Sequence, residues 1–168
     1  MNFSPATRFN AVDVAAVLAR WLLGALFVYM GLTKALHPEQ FLNLLREYDL
    51  VRNYYAMNVI ATALPWFEVL CGLLLLGGIA VRGTALLLAG MLAFFTVIVI
   101  HRAVGIQAAQ AIPFCSVKFD CGCGGGPEFI CAKVPQNAGM FLLALWLLAG
   151  RGRALCLRYS LLTSPPSS

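Results

Sequence analysis

The run "VAAVLARWLLGALFVYMGLTKAL", Val14 to Leu36, decides the fold. As a helix it crosses a hydrocarbon core of about 30 Å, which takes roughly 20 apolar residues. Two basic residues interrupt it, Arg20 and Lys34. At about 100° per residue they fall on one stripe with Gly24, Phe27 and Gly31. Glycines let neighbouring helices approach closely in a bilayer, so this stripe reads as a packing seam.

A second run, "YAMNVIATALPWFEVLCGLLLLGGIA" from 55 to 80, carries Pro65, Glu68 and Gly72 on one face. Pro65 removes a helical hydrogen bond and predicts a kink. An unpaired charge at membrane depth costs several kcal/mol. The expectation is therefore an intramembrane ion pair between Arg20 and Glu68 that fixes the first span against the second. Such a pair is often purely structural. The alternative makes Glu68 a proton-handling group or part of a quinone-facing pocket.

Further apolar runs at about 84–102 and 136–150 complete an all-α, integral membrane four-helix bundle, expected to be left-handed. "VRG" at 81–83 reads as the tight link of a helical hairpin. "HPEQFLNLLREYDLVRN", after the first span, alternates apolar and charged residues at helical spacing. It predicts an amphipathic helix over about 38–50, lying in the interface. Residues 1–150 form one membrane domain on this reading, and 151–168 a basic, partly disordered tail ending in a Ser/Pro cluster.

Composition agrees. The 168 residues are 61% hydrophobic and 11% charged, against about 45–50% and 25% for a soluble domain. The net charge of +5 sits mostly at the ends of apolar runs, as membrane anchoring requires, and gives no nucleic-acid signature. His101 and Arg102 read as such anchors. No cleavable leader is apparent. Basic residues divide almost evenly between the two sides. Arg151, Arg153 and Arg158 favour cytoplasmic termini, and a loop with several cysteines favours an oxidising, periplasmic compartment.

That loop contains "KFDCGCGGGPEFIC", 118–131. Cys71 reads as a small buried apolar residue, and Cys156 as a tail thiol. Cys115, Cys121, Cys123 and Cys131 remain, and four cysteines allow three pairings. A disulfide across the single residue Gly122 closes a very small ring and is easily reduced. Cys121 and Cys123 are therefore candidates for thiol–disulfide exchange, with Cys115 or Cys131 resolving. Two alternatives stand beside this one. In a structural staple, Cys121 and Cys123 each bond to Cys115 and Cys131. A four-thiolate zinc site would need the usual paired knuckles, which the spacing lacks.

In order along about 20–150, "RWLLGALFVYMGLTKALHP", "LPWFEVLCGLLLLGG" and "HRAVG…DCGCGGG…QNAGMFLLALWLL" resemble the DoxX-like superfamily and, within it, the methylamine-utilisation MauE family. The resemblance implies a four-helix membrane protein assisting maturation or disulfide formation of a periplasmic redox enzyme of the methylamine dehydrogenase type. It also implies distant kinship with the vitamin K epoxide reductase bundle, with a quinone as electron acceptor. A non-catalytic DoxX-type subunit of a quinone-linked respiratory complex is the competing class. The implied partners are the lipid bilayer and a periplasmic client or other membrane subunits, and the implied place is the bacterial inner membrane.

Overall fold

The computed structural model describes residues 11–48, 53–120 and 126–149. The tail from 151, with Cys156, lies outside them. The order of elements is α1 (Ala11–Leu36), α2 (Pro38–Glu47), α3 (Tyr54–Gly77), α4 (Val81–Gln110), a 3-10 turn (Phe114–Ser116), strands β1 (Lys118–Asp120) and β2 (Pro127–Phe129), and α5 (Ile130–Leu148). Among the described residues α1, α3, α4 and α5 are long and apolar enough to cross a membrane. The chain is a multi-pass, four-helix membrane bundle.

Two close helix pairs build it, α1 with α3 and α4 with α5. The first depends on glycine. A Cβ on Gly24 would stand 2.9 Å from the Gly72 carbonyl, and one on Gly72 would stand 2.7 Å from the Gly24 carbonyl. A Cβ on Gly31 would reach 2.7 Å from the Pro65 carbonyl. The stripe expected to be a seam is one, and Pro65 lies inside an unbroken α3.

This antiparallel register has a consequence for length. It sets Leu36 level with Thr62, so α3 continues about 12 Å beyond the end of α1 at 1.5 Å per residue. α2 fills that step. Pro38 occupies its first turn, where a missing N–H costs nothing. Its Phe41 is buried, and Leu44, Leu45 and Tyr48 turn with it into the bundle.

Several helix ends differ from the expected ones. The α3–α4 link is Gly78–Ala80, and "VRG" opens α4 instead. Gly78 adopts the left-handed conformation (φ 66°) that closes α3, with the Ile79 N–H donating to the Leu74 carbonyl. α4 runs on to Gln110, past 102, because Ala103 and Ile106 join a second small core with Val99, Val117 and Ile130. α5 starts at Ile130, ahead of Pro135, because Ile130 is a fully buried member of that core. The main core, which includes Leu23, Phe27, Leu75, Leu88 and Ala144, fills the rest of the bundle.

The seam gives a direct test. Gly31→Ala should destabilise the purified protein by about 1–3 kcal/mol, since its Cβ meets backbone that cannot give way. Gly83→Ala and Gly139→Ala, where a Cβ meets nothing within 4 Å, should not. Thermal melts in one detergent make the comparison.

Candidate functional site

The register of α1 and α3 decides which charges meet. Glu68 lies roughly level with Met30, about one turn from Lys34 and about 15 Å along the axis from the level of Arg20. Lys34 is accordingly its partner. The Lys34 ammonium donates to both Glu68 oxygens at 2.7 Å, and both side chains are buried, 7% and 8% exposed. The expected Arg20–Glu68 pair gives way to this one. Arg20 shares the stripe and is buried at 1% exposure, but towards the opposite end of the bundle. Sequence reasoning missed Lys34 as partner because a stripe shows which way a side chain points and not its height.

The ion pair sits in the wall of a cavity of about 440 Å³ between the two helix pairs. α1 contributes Phe27, Met30 and Lys34, α3 contributes Ile60, Leu64 and Glu68, and α4 lines it from Met91 to Ile98. α2 roofs it with Phe41, Leu44, Leu45 and Tyr48, and Asn137 and Met140 of α5 close the back. The Lys34 ammonium stands 5.5 Å from the Phe41 ring centre and 5.9 Å from that of Phe95. Asn137, 2% exposed, donates to the Thr96 hydroxyl at 3.4 Å. Polar groups in its wall are few, Lys34, Glu68, Asn137 and Tyr48 among apolar side chains, the pattern of a small-molecule pocket.

Beyond α2 lies the cysteine hairpin. β1 and β2 pair antiparallel, Lys118 opposite Phe129 and Asp120 opposite Pro127. The Lys118 ammonium lies 5.5 Å from the Phe129 ring centre across that first rung. A disulfide joins Cys115, just before β1, to Cys131, in the first turn of α5, with Cα atoms 5.1 Å apart. Both cysteines are exposed.

This bond excludes both alternatives to the exchange reading. Cys115 and Cys131 cannot each hold Cys121 or Cys123 in a staple, nor serve as free thiolates on zinc. No group of metal-ligating side chains occurs among the described residues. Cys121 and Cys123 lie outside those residues, in the segment that joins β1 to β2. Cys71 is buried and free, as expected.

Several contacts fix the hairpin to the bundle. Val117 and Ile130 are fully buried, and the Ile130 N–H donates to the Val117 carbonyl at 3.1 Å. Buried Lys133 pairs with Glu128 at 3.0 Å. Phe119 meets Tyr48 of α2 edge to face, centroids 6.4 Å apart. Arg102, expected as an anchor, joins α4 to α2 through Glu47 at 2.9 Å, while His101 is exposed. A narrow crevice lined by Lys34, His37, Gln40 and Asp120 reaches from the ion pair to the last residue of β1.

These features define a class: a multi-pass helical membrane protein with a neutral ion pair in an apolar cavity and a disulfide-clasped hairpin above it. Residues 12–150 match the family described as methylamine utilisation protein MauE, and the chain belongs to that family. No curated protein and no solved structure matches it.

Breaking the ion pair should be worse than removing it. Lys34→Met alone or Glu68→Met alone should cost about 3–5 kcal/mol by stranding a buried charge. The Lys34→Met/Glu68→Met double variant should melt close to the native protein. A matching Arg20→Met/Glu68→Met cycle should be additive.

Proposed function

We propose that this protein is a membrane accessory factor in methylamine utilisation that supports maturation of a disulfide-containing redox enzyme through thiol–disulfide exchange at Cys121 and Cys123. The observation that carries the reading is the nesting of the hairpin. An exposed Cys115–Cys131 disulfide closes its base, and the sequence supplies the Cys-Gly-Cys pair between its strands. Family membership supports the setting.

The chemistry balances in two half-steps. A client thiolate attacks the Cys121–Cys123 disulfide, one sulfur leaves as thiolate, and a mixed disulfide forms. The client's second thiolate then breaks that bond, leaving an oxidised client and a Cys121/Cys123 dithiol. The client has given up two electrons and two protons. A one-residue disulfide suits the task because a small strained ring is a strong oxidant. Cys115 and Cys131 form the neighbouring pair for internal exchange. Cys131 in the first turn of α5 is favoured as a leaving thiolate by the helix N-terminus. The two electrons pass on to a quinone.

On this reading the hairpin faces the periplasm, both termini are cytoplasmic, and the membrane is the bacterial inner one. A stable disulfide at the hairpin end of the bundle supports that orientation.

Cys123→Ser should accumulate a mixed disulfide through Cys121, detected as a thiol-sensitive band on non-reducing gels, and client maturation should fall. Cys115→Ser/Cys131→Ser should lower stability by about 3 kcal/mol, the loop-closure value for this separation. If all four cysteines can become serine with lost stability and full client maturation, the hairpin is a clasp and the exchange reading is wrong.

A further inference from the structure

We propose that the cavity between the helix pairs binds a neutral lipid alcohol, a flexible apolar chain whose hydroxyl sits between the Lys34 ammonium and the Glu68 carboxylate. Such binding is independent of any thiol chemistry in the hairpin.

The hydrogen-bonding groups in the wall select the hydroxyl. An ammonium has three N–H donors, and two of those on Lys34 are spent on the Glu68 oxygens. One donor remains, and the Glu68 oxygens keep lone pairs for an incoming donor. A hydroxyl answers both, accepting from Lys34 and donating to Glu68. A carbonyl answers only the ammonium, and a hydrocarbon answers neither. Lys34 and Glu68 together are neutral, so an ionised head would bring a net charge into an apolar wall, which is costly. Asn137 adds to the same belt. Its Nδ2 donates to the Thr96 hydroxyl at 3.4 Å, and that hydroxyl donates to the Leu92 carbonyl at 2.6 Å. The amide is thereby held with its Oδ1 as a further acceptor. Thr96 follows Phe95, whose ring lies 5.9 Å from the Lys34 ammonium, so Asn137 and Lys34 share one level of the bundle.

Helix register sets what lies around this belt. With Leu36 level with Thr62, Lys34 is level with Leu64. Phe94 lies as far along α4 from the Gly78–Ala80 link as Leu64 does along α3, which places it at that level too. Phe94 lines the cavity and is 71% exposed. The cavity therefore opens sideways to lipid beside the belt itself.

Below the belt the wall changes character. Met30, Met91 and Met140 line the cavity about one turn deeper, on α1, α4 and α5. Met140 belongs to the main core, and the other two pack against it. Three unbranched thioethers from three helices adapt to an irregular, flexible chain. A molecule entering beside Phe94 turns its hydroxyl to the ion pair and lays its chain over the methionines.

The test uses the full-length protein in lipid nanodiscs with dodecyl probes that differ at the head: 1-dodecanol, 2-dodecanone, dodecane, and dodecanoate at a pH where it is ionised. Thermal shift against the mole fraction of probe in the lipid gives affinity, and native mass spectrometry counts bound probe. One dodecanol per chain is expected, binding at least about tenfold tighter than the ketone, the effect of one hydrogen bond to a charged group. Dodecane and dodecanoate should give no saturable shift. In Lys34→Met/Glu68→Met the alcohol should lose its advantage over the ketone, and Leu64→Trp, beside the lateral opening, should weaken both. Cys121→Ser/Cys123→Ser should bind as the native protein does. Equal binding of alcohol and ketone by the native protein, saturable binding of dodecanoate, or an alcohol preference kept in the double variant would overturn the proposal. The head-group series is read on the native protein, so it decides the matter even where a variant fails to fold.

Discussion

Backbone-to-backbone contact between α1 and α3 is the constraint from which the rest follows. Gly24, Gly31 and Gly72 remove the side chains that would hold these helices apart, and lipid offers no hydrophobic drive to do the work instead. Once the seam is closed, the axial register is fixed to within a residue. That register brings Lys34 to Glu68, carries Arg20 away from it, and leaves α3 longer than α1 at one end. The cavity roof exists because α2 fills the resulting step. One larger residue in the seam would disturb the ion pair, the cavity and the docking of α2 together.

The second pair, α4 with α5, does different work. Its main contacts belong to the shared core, but its far end carries the separate cluster of Val99, Ala103, Val117 and Ile130. The hairpin is therefore seated by packing as well as by its disulfide. α2 bridges the two regions. It meets α4 through Glu47 and Arg102, the hairpin through Tyr48 and Phe119, and the ion pair through Phe41. A segment resembling an interfacial connector is the common wall of cavity and hairpin.

Hydropathy makes the four spans legible, because three runs are close to bilayer length and the fourth, at 136–150, is short but nearly continuous. The glycine stripe on α1 and the Pro65–Glu68–Gly72 face of α3 are legible by helical periodicity. Axial position is not. Arg20 and Lys34 occupy the same stripe, and only the three-dimensional contact of Gly24 with Gly72 tells which one Glu68 can reach. Helix ends differ where packing extends a helix past its apolar run. The fourth apolar run starts at about 136, yet Ile130 is drawn into the second core and the helix begins there. The apolar face of α2 was visible, but its destination was not, since lipid and a protein cavity reward the same residues. The Cys115–Cys131 bond was beyond spacing arguments, which leave the three pairings of four cysteines open.

The nesting of the cysteines has a bearing on how the chain is made. Cys115, Cys121 and Cys123 leave the ribosome before Cys131, so the native partner of Cys115 is the last of the four to arrive. Loop closure also favours its nearer neighbours: bridging 16 residues rather than the 6 to Cys121 costs about 0.9 kcal/mol more. Both order of synthesis and chain statistics thus point to a wrong bond first. What redirects Cys115 is the burial of Ile130 beside Val117, which delivers Cys131 to within bonding reach as α5 docks. Correct oxidation of the hairpin is then a report that the last helix has been inserted, and a chain truncated before α5 carries its loop cysteines without that check.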